Sequence, residues 1–142
     1  MLPLEDALAQ MLNQLPFPTK TETLALTEAA DRVCAEDVIS PINVPSFDNS
    51  AMDGYAVRLA DLQQSMTLSI AGKSFAGNPF QGEWGAQSAV RIMTGAMIPE
   101  GADAVVMQED VTVNEDGSVT FAALPKANQN IRRIGEDVKK GD

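Results

Sequence analysis

The sequence predicts a mostly β protein, a short-stranded β barrel or sandwich module with one N-terminal helix and an extended arm. From Tyr55 onward, short runs rich in β-branched residues are separated by Gly, Pro and Asn. No helical periodicity interrupts these runs, which argues against alternating strand–helix units. We divide the chain into a helix and arm (residues 1–40), a β module (41–138) and the truncated start of a following segment (139–142).

The first predicted element is a helix, which Pro16 and Pro18 end. Its apolar side chains recur at helical spacing, at Leu4, Leu8, Met11, Leu12 and Leu15. An apolar stripe on a single helix is expected to pack against another surface. Another domain, a second subunit and the protein's own sheet all remain open as that surface.

The arm that follows is predicted to be irregular. We expect a short strand at residues 23–26, one or two helical turns capped by Thr27, and a further strand beginning at Val38. Residues 41–45 are expected to be extended, because each proline there pushes the preceding residue out of the helical region.

The β module is predicted to contain short strands at residues 55–57, 68–71, 89–93, 104–107, 111–113 and 119–121. In the last two strands, apolar and polar residues alternate on either side of a polar, glycine-containing segment at residues 114–117, which predicts a hairpin. Gly72 begins a Gly-Lys-Ser sequence, but Thr67 stands where a phosphate-binding loop requires glycine. We therefore predict a turn at residues 72–74.

The charge balance limits the partners. With 20 acidic and 10 basic residues, the net charge is -10, which argues against nucleic acid and against anionic membrane surfaces. The absence of histidine excludes Ser-His triads, histidine bases and histidine metal ligands within this chain.

Cys34 is the only cysteine, so an intramolecular disulfide and a multi-cysteine zinc site are excluded. We predict that Cys34 is a small buried apolar residue. A lone cysteine and a start without a signal-peptide pattern indicate a cytoplasmic protein. No apolar run approaches the roughly 20 residues that span a bilayer.

The most specific stretch of the sequence is residues 45–58. Its Asp-Asn-Ser segment favours side-chain-to-backbone turns, and Asp53-Gly54 favours a tight turn before a strand. A constrained polar loop thus delivers the Asp53 carboxylate to a strand end. Elsewhere, Thr94 at a strand terminus and the charged residues 132–137 are weak signals, each compatible with an ordinary solvated surface.

Four stretches in order closely resemble the N-terminal part of the molybdopterin molybdenumtransferases, the MoeA family, whose animal relative is the C-terminal part of gephyrin. They are residues 47–58 (FDNSAMDGYAVR), 91–96 (RIMTGA), 99–106 (PEGADAVV) and 130–137 (NIRRIGED). The likeness runs from about Leu4 to Asp142. Family proteins are longer, with a later α/β domain and a small β domain, and Gly141-Asp142 looks like an interrupted turn. We therefore expect an N-terminal fragment.

The resemblance implies insertion of molybdate into adenylated molybdopterin, with release of AMP and with magnesium as the divalent cation. It implies a homodimer whose site lies between the β module of one subunit and the α/β domain of the other. A molybdopterin adenylyltransferase is a further possible partner. Without the α/β domain, this chain alone is expected to be inactive. The alternative is a non-catalytic scaffold, dimerisation or binding module.

The resemblance also assigns residues. It gives catalytic roles to Asp53, Thr94 and Asp137. Because both substrates are anionic, we expect Asp53, Asp137 or both to act through the divalent metal ion, directly or via water. Thr94 is then a hydrogen-bond donor to a molybdate or phosphate oxygen. The predicted cofactor-binding residues are Ser50, Arg132 and Arg133, with the arginines pairing with an anion.

Overall fold

The computed structural model of the chain describes residues 2–16 and 20–142. They form two units, Met1–Val38 and Ile39–Asp142. Within the described ranges, no helix has the length and the apolar character needed to cross a bilayer.

The first unit contains the predicted helix, α1 (Leu4–Asn13), with acidic residues in its first turn as the helix dipole favours. Leu15 lies beyond its end, and Pro18 lies outside the described residues. The apolar stripe of α1 is exposed, by 77% at Leu4 and 68% at Met11.

The arm of the first unit differs from the prediction. Residues 23–25 form no strand, and in place of helical turns after Thr27 a single 3-10 helix spans Leu26–Glu28. No strand begins at Val38. A β-forming run becomes a strand only when a neighbouring strand pairs with it, and none of the described residues does so here. Cys34 is exposed rather than buried, since it lies on this open arm.

The second unit is built on a curled sheet. Its elements are β1 (Asn49–Ser50), β2 (Gly54–Val57), α2 (Leu59–Gln64), β3 (Thr67–Ser74), β4 (Ser88–Ile92), β5 (Ala104–Met107), a 3-10 helix (Gln108–Asp110), β6 (Val111–Val113), β7 (Val119–Phe121) and β8 (Ile131–Arg132). Six strands pair in the order β5-β2-β4-β3-β7-β6, and β1 pairs with β8. The mostly β fold class is confirmed, in the form of a half-barrel.

The centre of this sheet is buried on both faces. Along β2, the side chains of Tyr55 and Val57 pack into one apolar cluster, while Ala56 packs into another on the opposite face. The sequence of a strand that is covered on both faces is a nearly continuous run of apolar residues. The strand ends are therefore rigidly placed, and the candidate site lies at those ends.

Some details of the β module were predicted correctly and others were not. The hairpin is confirmed, with Val111 opposite Phe121. The predicted turn at residues 72–74 is wrong, because β3 continues through them after a bulge. A Cβ added at Gly72 would lie 2.5 Å from the Phe80 ring. The expectation of no helix among the strands is also wrong.

Tertiary contacts explain that missed helix, α2. Arg58 Nε donates to Asp61 Oδ2 at 2.8 Å, the Leu59 amide donates to Asp103 Oδ2 at 2.8 Å, and Leu62 is buried. A six-residue helix is stabilised mainly by such contacts and little by its own propensity. A sequence pattern therefore carries no sign of it.

The last residues of the chain pair with the start of the second unit. Val44 and Val138 form an antiparallel bridge, and the amide of Ser40 donates to the carbonyl of Asp142 at 2.9 Å. Residues 138–142 thus lie beside residues 40–44.

Candidate functional site

Asp53 and Thr94 meet because two neighbouring strands are antiparallel. Asp53 directly precedes β2, Thr94 lies just after β4, and Gly54 is paired with Ile92 in the sheet. The Thr94 amide and the Thr94 hydroxyl both donate to Asp53 Oδ1, at 2.8 and 2.7 Å. Two residues 41 positions apart in the chain thus form one hydrogen-bonded pair.

Gly54 is required at this point by close approach and not by a tight turn. It is the first residue of β2, and a Cβ on it would lie 2.0 Å from the Val106 carbonyl oxygen. On the other side, Gly95 has φ +79°, a conformation that favours glycine, and its amide donates to the Ser50 carbonyl at 2.8 Å. The Asp53–Thr94 pair is therefore held by backbone on both sides.

The Asp53 carboxylate is kept ionised. The Thr94 amide, followed by the Thr94 hydroxyl, holds its pKa below the ordinary value; desolvation opposes them, and the nearby charge of Arg91 lowers the pKa by a smaller amount. Both hydrogen bonds go to Oδ1. In the described part of the chain, Oδ2 accepts no hydrogen bond, so one oxygen of an ionised carboxylate is available to a ligand.

Arg91 supports this pair, and the sequence analysis assigned it no role. Its guanidinium lies 5.1 Å from the centre of the Tyr55 ring and donates to the Gly54 carbonyl at 2.7 Å and to the side-chain oxygen of Gln108. The Gln108 amide in turn donates to the Asp53 carbonyl at 3.0 Å. The feature of the sequence that could have identified Arg91 is its position between two apolar residues, which are buried in β4.

The second group of predicted residues lies on β8 and the loop after it. Arg132 donates to Asp137 Oδ1 in an ion pair, with Glu136 3.9 Å away. This hydrogen bond, followed by the charge of Asp137, raises the pKa of the Arg132 guanidinium. The Asp137 amide donates to the Val44 carbonyl at 2.9 Å. Asp137 is thus paired with a cation of its own chain.

Arg133 is engaged with Asp48, which the sequence analysis read only as a turn former. Arg133 donates to Asp48 Oδ2 and to the side chain of Asn128. The Ile134 amide donates to Asp48 Oδ1 at 2.7 Å, and this bond, with smaller contributions from Arg133, lowers the pKa of Asp48 despite some desolvation. Asp48 therefore fixes the loop that leads to Asp137.

Ser50 connects the two groups. It is only 1% exposed, and its hydroxyl donates to the Met52 carbonyl at 2.6 Å. Its strand β1 pairs with β8, with Ser50 opposite Ile131, while its carbonyl accepts from Gly95 next to Thr94. Within residues 2–16 and 20–142, no hydrogen bond or ion pair joins Asp53 to Asp137, and no three acidic or thiol side chains cluster to hold a metal ion.

The chain is similar to known proteins along almost its whole length. Residues 2–142 match the family model described as the MoeA N-terminal region (domain I and II). The chain is 79% identical over 142 residues to a Haemophilus influenzae protein named molybdopterin molybdenumtransferase, covering 100% of this chain and 35% of that protein. It is 41% identical over 130 residues to the protein of the same name from Bacillus subtilis, covering 86% of this chain and 30% of that one.

A solved structure shows the same architecture. The crystal structure of a molybdopterin biosynthesis moeA protein from Pyrococcus horikoshii OT3 superposes with a TM-score of 0.75 at 37% identity, covering 100% of this chain and 38% of that one. The chain therefore spans about a third of the length of the relatives that it matches.

Proposed function

Because this chain belongs to the MoeA family and matches its N-terminal region, we propose that it contributes Asp53, Thr94 and Asp137 to a site that inserts molybdate into adenylated molybdopterin. The observation that carries this proposal is the pair of hydrogen bonds from Thr94 to Asp53. They keep a carboxylate ionised and leave its second oxygen available. The chain would thereby take part in molybdenum cofactor biosynthesis, in the cytoplasm.

A hard divalent cation such as magnesium fits the Asp53 side chain. Mg²⁺ is usually bound through one or two carboxylates, with water and substrate phosphates as its other ligands. Asp53 offers one oxygen, and no fuller cage exists among the described residues. When bound, the ion would neutralise phosphate charge and polarise the bond to AMP. Asp53 itself would orient the anionic substrate through that ion, and Thr94 would hold Asp53 in place.

The proposed role of Asp137 and the two arginines requires an exchange of partners. Asp137 is paired with Arg132, and Arg133 with Asp48. An incoming phosphate or molybdate would compete for the guanidinium groups, and a bidentate arginine–oxyanion contact is a strong one. Release of Arg132 would then free Asp137 as a second metal ligand. Ser50, whose carbonyl accepts from the Gly95 amide, would support the same site from the buried strand β1.

The site is proposed to be composite. The matched region is described as domain I and II of the family protein, and the pterin would be bound largely by residues outside that region, in a homodimer. The adenylated substrate would be delivered by a molybdopterin adenylyltransferase. Isothermal titration of the 142-residue chain with adenylated molybdopterin and magnesium tests this directly. Weak or no binding is expected, and tight binding would instead indicate a self-sufficient site.

The role of Asp53 is tested by Asp53→Asn in the protein expressed from its complete reading frame. Asp116→Asn is a matched control, since Asp116 Oδ1 also accepts one amide and one hydroxyl bond, both from Ser118, in the hairpin turn. Molybdate insertion should fall strongly in the first variant and stay normal in the second. An Asp53→Asn enzyme that works at the wild-type rate would show that the proposal is wrong.

A second candidate function, assembly without catalysis, is favoured by the exposed apolar stripe of α1. Contiguous exposed apolar side chains mark protein interaction sites. If the stripe forms a subunit interface, Leu8→Glu should convert a dimer into a monomer in light scattering coupled to size exclusion, while Gln10→Glu on the same helix should not. A protein that dimerises through the stripe and also inserts molybdate would support both functions. A protein that dimerises but in which Asp53→Asn does not change molybdate insertion would support the assembly function only.

A further inference from the structure

The backbone that carries Asp53 is held by groups from the two strands that flank β2 in the sheet, β5 and β4. The Gln108 amide, directly after β5, donates to the Asp53 carbonyl at 3.0 Å. Arg91 Nη1, on β4, donates to the Gly54 carbonyl at 2.7 Å, and Arg91 Nη2 donates to the side-chain oxygen of Gln108. One connected pair of residues thus binds two successive carbonyl groups at the start of β2.

Arg91 can bridge these groups because its guanidinium is a planar fork. Nη1 donates to the Ile92 carbonyl at 3.1 Å as well as to Gly54, while Nη2 faces Gln108. Arg91 is opposite Tyr55 in the β2–β4 register, and its guanidinium lies 5.1 Å from the centre of that ring, which is an attractive contact between a cation and an aromatic face. A lysine ammonium would carry the same charge at a single point and would not reproduce the fork.

The side chain of Gln108 is oriented by its neighbour. Gln108 Nε2 donates to Glu109 Oε1 at 3.2 Å. Because a carboxylate only accepts hydrogen bonds and a guanidinium only donates them, the amide nitrogen faces Glu109 and the amide oxygen faces Arg91. Gln108 therefore acts on Asp53 twice, directly through its backbone amide and indirectly through Arg91.

The charge of Arg91 is not cancelled by a carboxylate. The other four arginines of the chain are each ion-paired with one, and they are Arg32, Arg58, Arg132 and Arg133. Arg91 forms no ion pair within the described ranges, and its three acceptors are neutral oxygens. These contacts fix the guanidinium and leave its positive charge in place beside the ionised Asp53.

We propose that Arg91 is a positioning residue, which together with Gln108 sets the direction in which the Asp53 carboxylate points and thereby the rate of the proposed insertion reaction. The effect on the rate rests on the proposed function, whereas the effect on Asp53 itself rests on the hydrogen bonds alone. Arg91 acts through Asp53 and needs no contact with the substrate.

Arg58 provides a matched control, because it is a second arginine of the same unit with contacts of the same kind. It donates to the Trp84 carbonyl at 3.3 Å, to the Gly85 carbonyl and to Asp61 Oδ2, and its guanidinium lies 4.3 Å from the centre of the Trp84 ring. In the described part of the chain it forms no hydrogen bond with Asp53. Arg58→Lys should therefore cost stability without disturbing Asp53.

The first test is amide hydrogen exchange in the 142-residue chain. Arg91→Lys keeps the charge and loses the fork, so the amides of Thr94 and Gln108, which both donate to Asp53, should exchange about tenfold faster, the scale of losing one hydrogen bond. The amide of Phe121 on β7, beyond β4 and β3 in the sheet, should be unchanged. A purely structural role of Arg91 would speed all three amides together.

The second test is kinetic and uses the protein expressed from its complete reading frame. Arg91→Lys should lower kcat for molybdate insertion about tenfold, because a misdirected Asp53 carboxylate loses its alignment with the reacting groups. KM for adenylated molybdopterin should change little, since Arg91 is not proposed to bind it. Arg58→Lys should leave kcat and the two amides at Asp53 unchanged.

Three results would overturn the inference: unchanged exchange at Thr94 and Gln108 in Arg91→Lys, equally fast exchange there in Arg58→Lys, or slow insertion in Asp53→Asn together with a wild-type rate in Arg91→Lys. An Asp53→Asn enzyme with the wild-type rate would instead contradict the proposed function. Amide exchange would then still decide whether Arg91 positions Asp53, so the two failures are distinguishable.

Discussion

Asp53, which directly precedes β2, and Asp137, which lies in the loop after β8, are held in opposite ways. Asp53 accepts from an amide and a hydroxyl, which are neutral donors. Asp137 is paired with the guanidinium of Arg132. Neutral donors stabilise a carboxylate without cancelling its charge, whereas an arginine cancels it. The two aspartates therefore differ in how readily each can attract a cation.

The difference extends to their supports. Asp53 and Thr94 lie at the ends of buried neighbouring strands, which fix them through backbone pairing. Asp137 lies in a loop that Asp48 and Arg133 hold through exposed or half-exposed side chains. Pairs of this exposed kind contribute little to stability and exchange partners easily. We infer that the Asp53 side is preorganised and that the Asp137 side rearranges when a ligand binds.

The largest expected effect separates the two aspartates. For the proposed activity, Asp53→Asn should reduce the rate of molybdate insertion by about 10²-fold or more, the scale of losing one preorganised electrostatic group. Asp137→Asn should reduce it less, because the charge of Asp137 is already compensated. Rates measured across a magnesium titration check this, and an equal loss in both variants would contradict the distinction.

The next effect concerns the donor. Thr94→Val keeps the amide bond to Asp53 but removes the hydroxyl bond, so the pKa of Asp53 should rise toward its ordinary value, which is about 3.9. Insertion should slow by about tenfold as Asp53 loses its orientation. Carboxyl-carbon NMR titration reads the pKa, and Thr94→Ser should restore both measurements. Failure of serine to rescue would indicate that the methyl group, not the hydroxyl, is needed.

A smaller effect, on stability, comes from Asp48. Asp48→Asn weakens the bond from the Ile134 amide and leaves Arg133 without its carboxylate, at a cost of about 1 kcal/mol in the free energy of unfolding. Because folding lowers the pKa of Asp48, its contribution is present above about pH 4 and disappears as the pH falls through the lowered value. Urea unfolding of wild type and variant should therefore differ at pH 7 and converge toward pH 2. A constant difference would rule out the carboxylate as the cause.

Sequence reasoning found the elements that depend on local pattern. The hairpin at residues 111–121 follows from alternation around a glycine turn, and the helix at Leu4–Asn13 from apolar spacing. It failed where partners distant in sequence decide the structure, as in α2, which the Asp103 contact stabilises. The same holds for the site. Asp53 and Thr94 were recognisable by resemblance, but their contact depends on the register of β2 and β4, and the role of Arg91 depends on a third strand end at Gln108.

The smallest expected effect is on magnesium binding at Asp137 when its ion-pair partner Arg132 is removed. Arg132→Gln removes the only cation that is ion-paired with Asp137 among the described residues, and should leave the urea midpoint unchanged because the pair is exposed. Asp137 would then resemble Asp53, a carboxylate with no ion-pair partner among the described residues, and should bind magnesium more readily. Magnesium titration followed by amide shifts at Glu136 and Asp137 measures this. Arg32→Gln breaks a more exposed pair with Glu22 in the other unit and serves as the control. Unchanged shifts at Asp137 would mean that Arg132 does not restrain it.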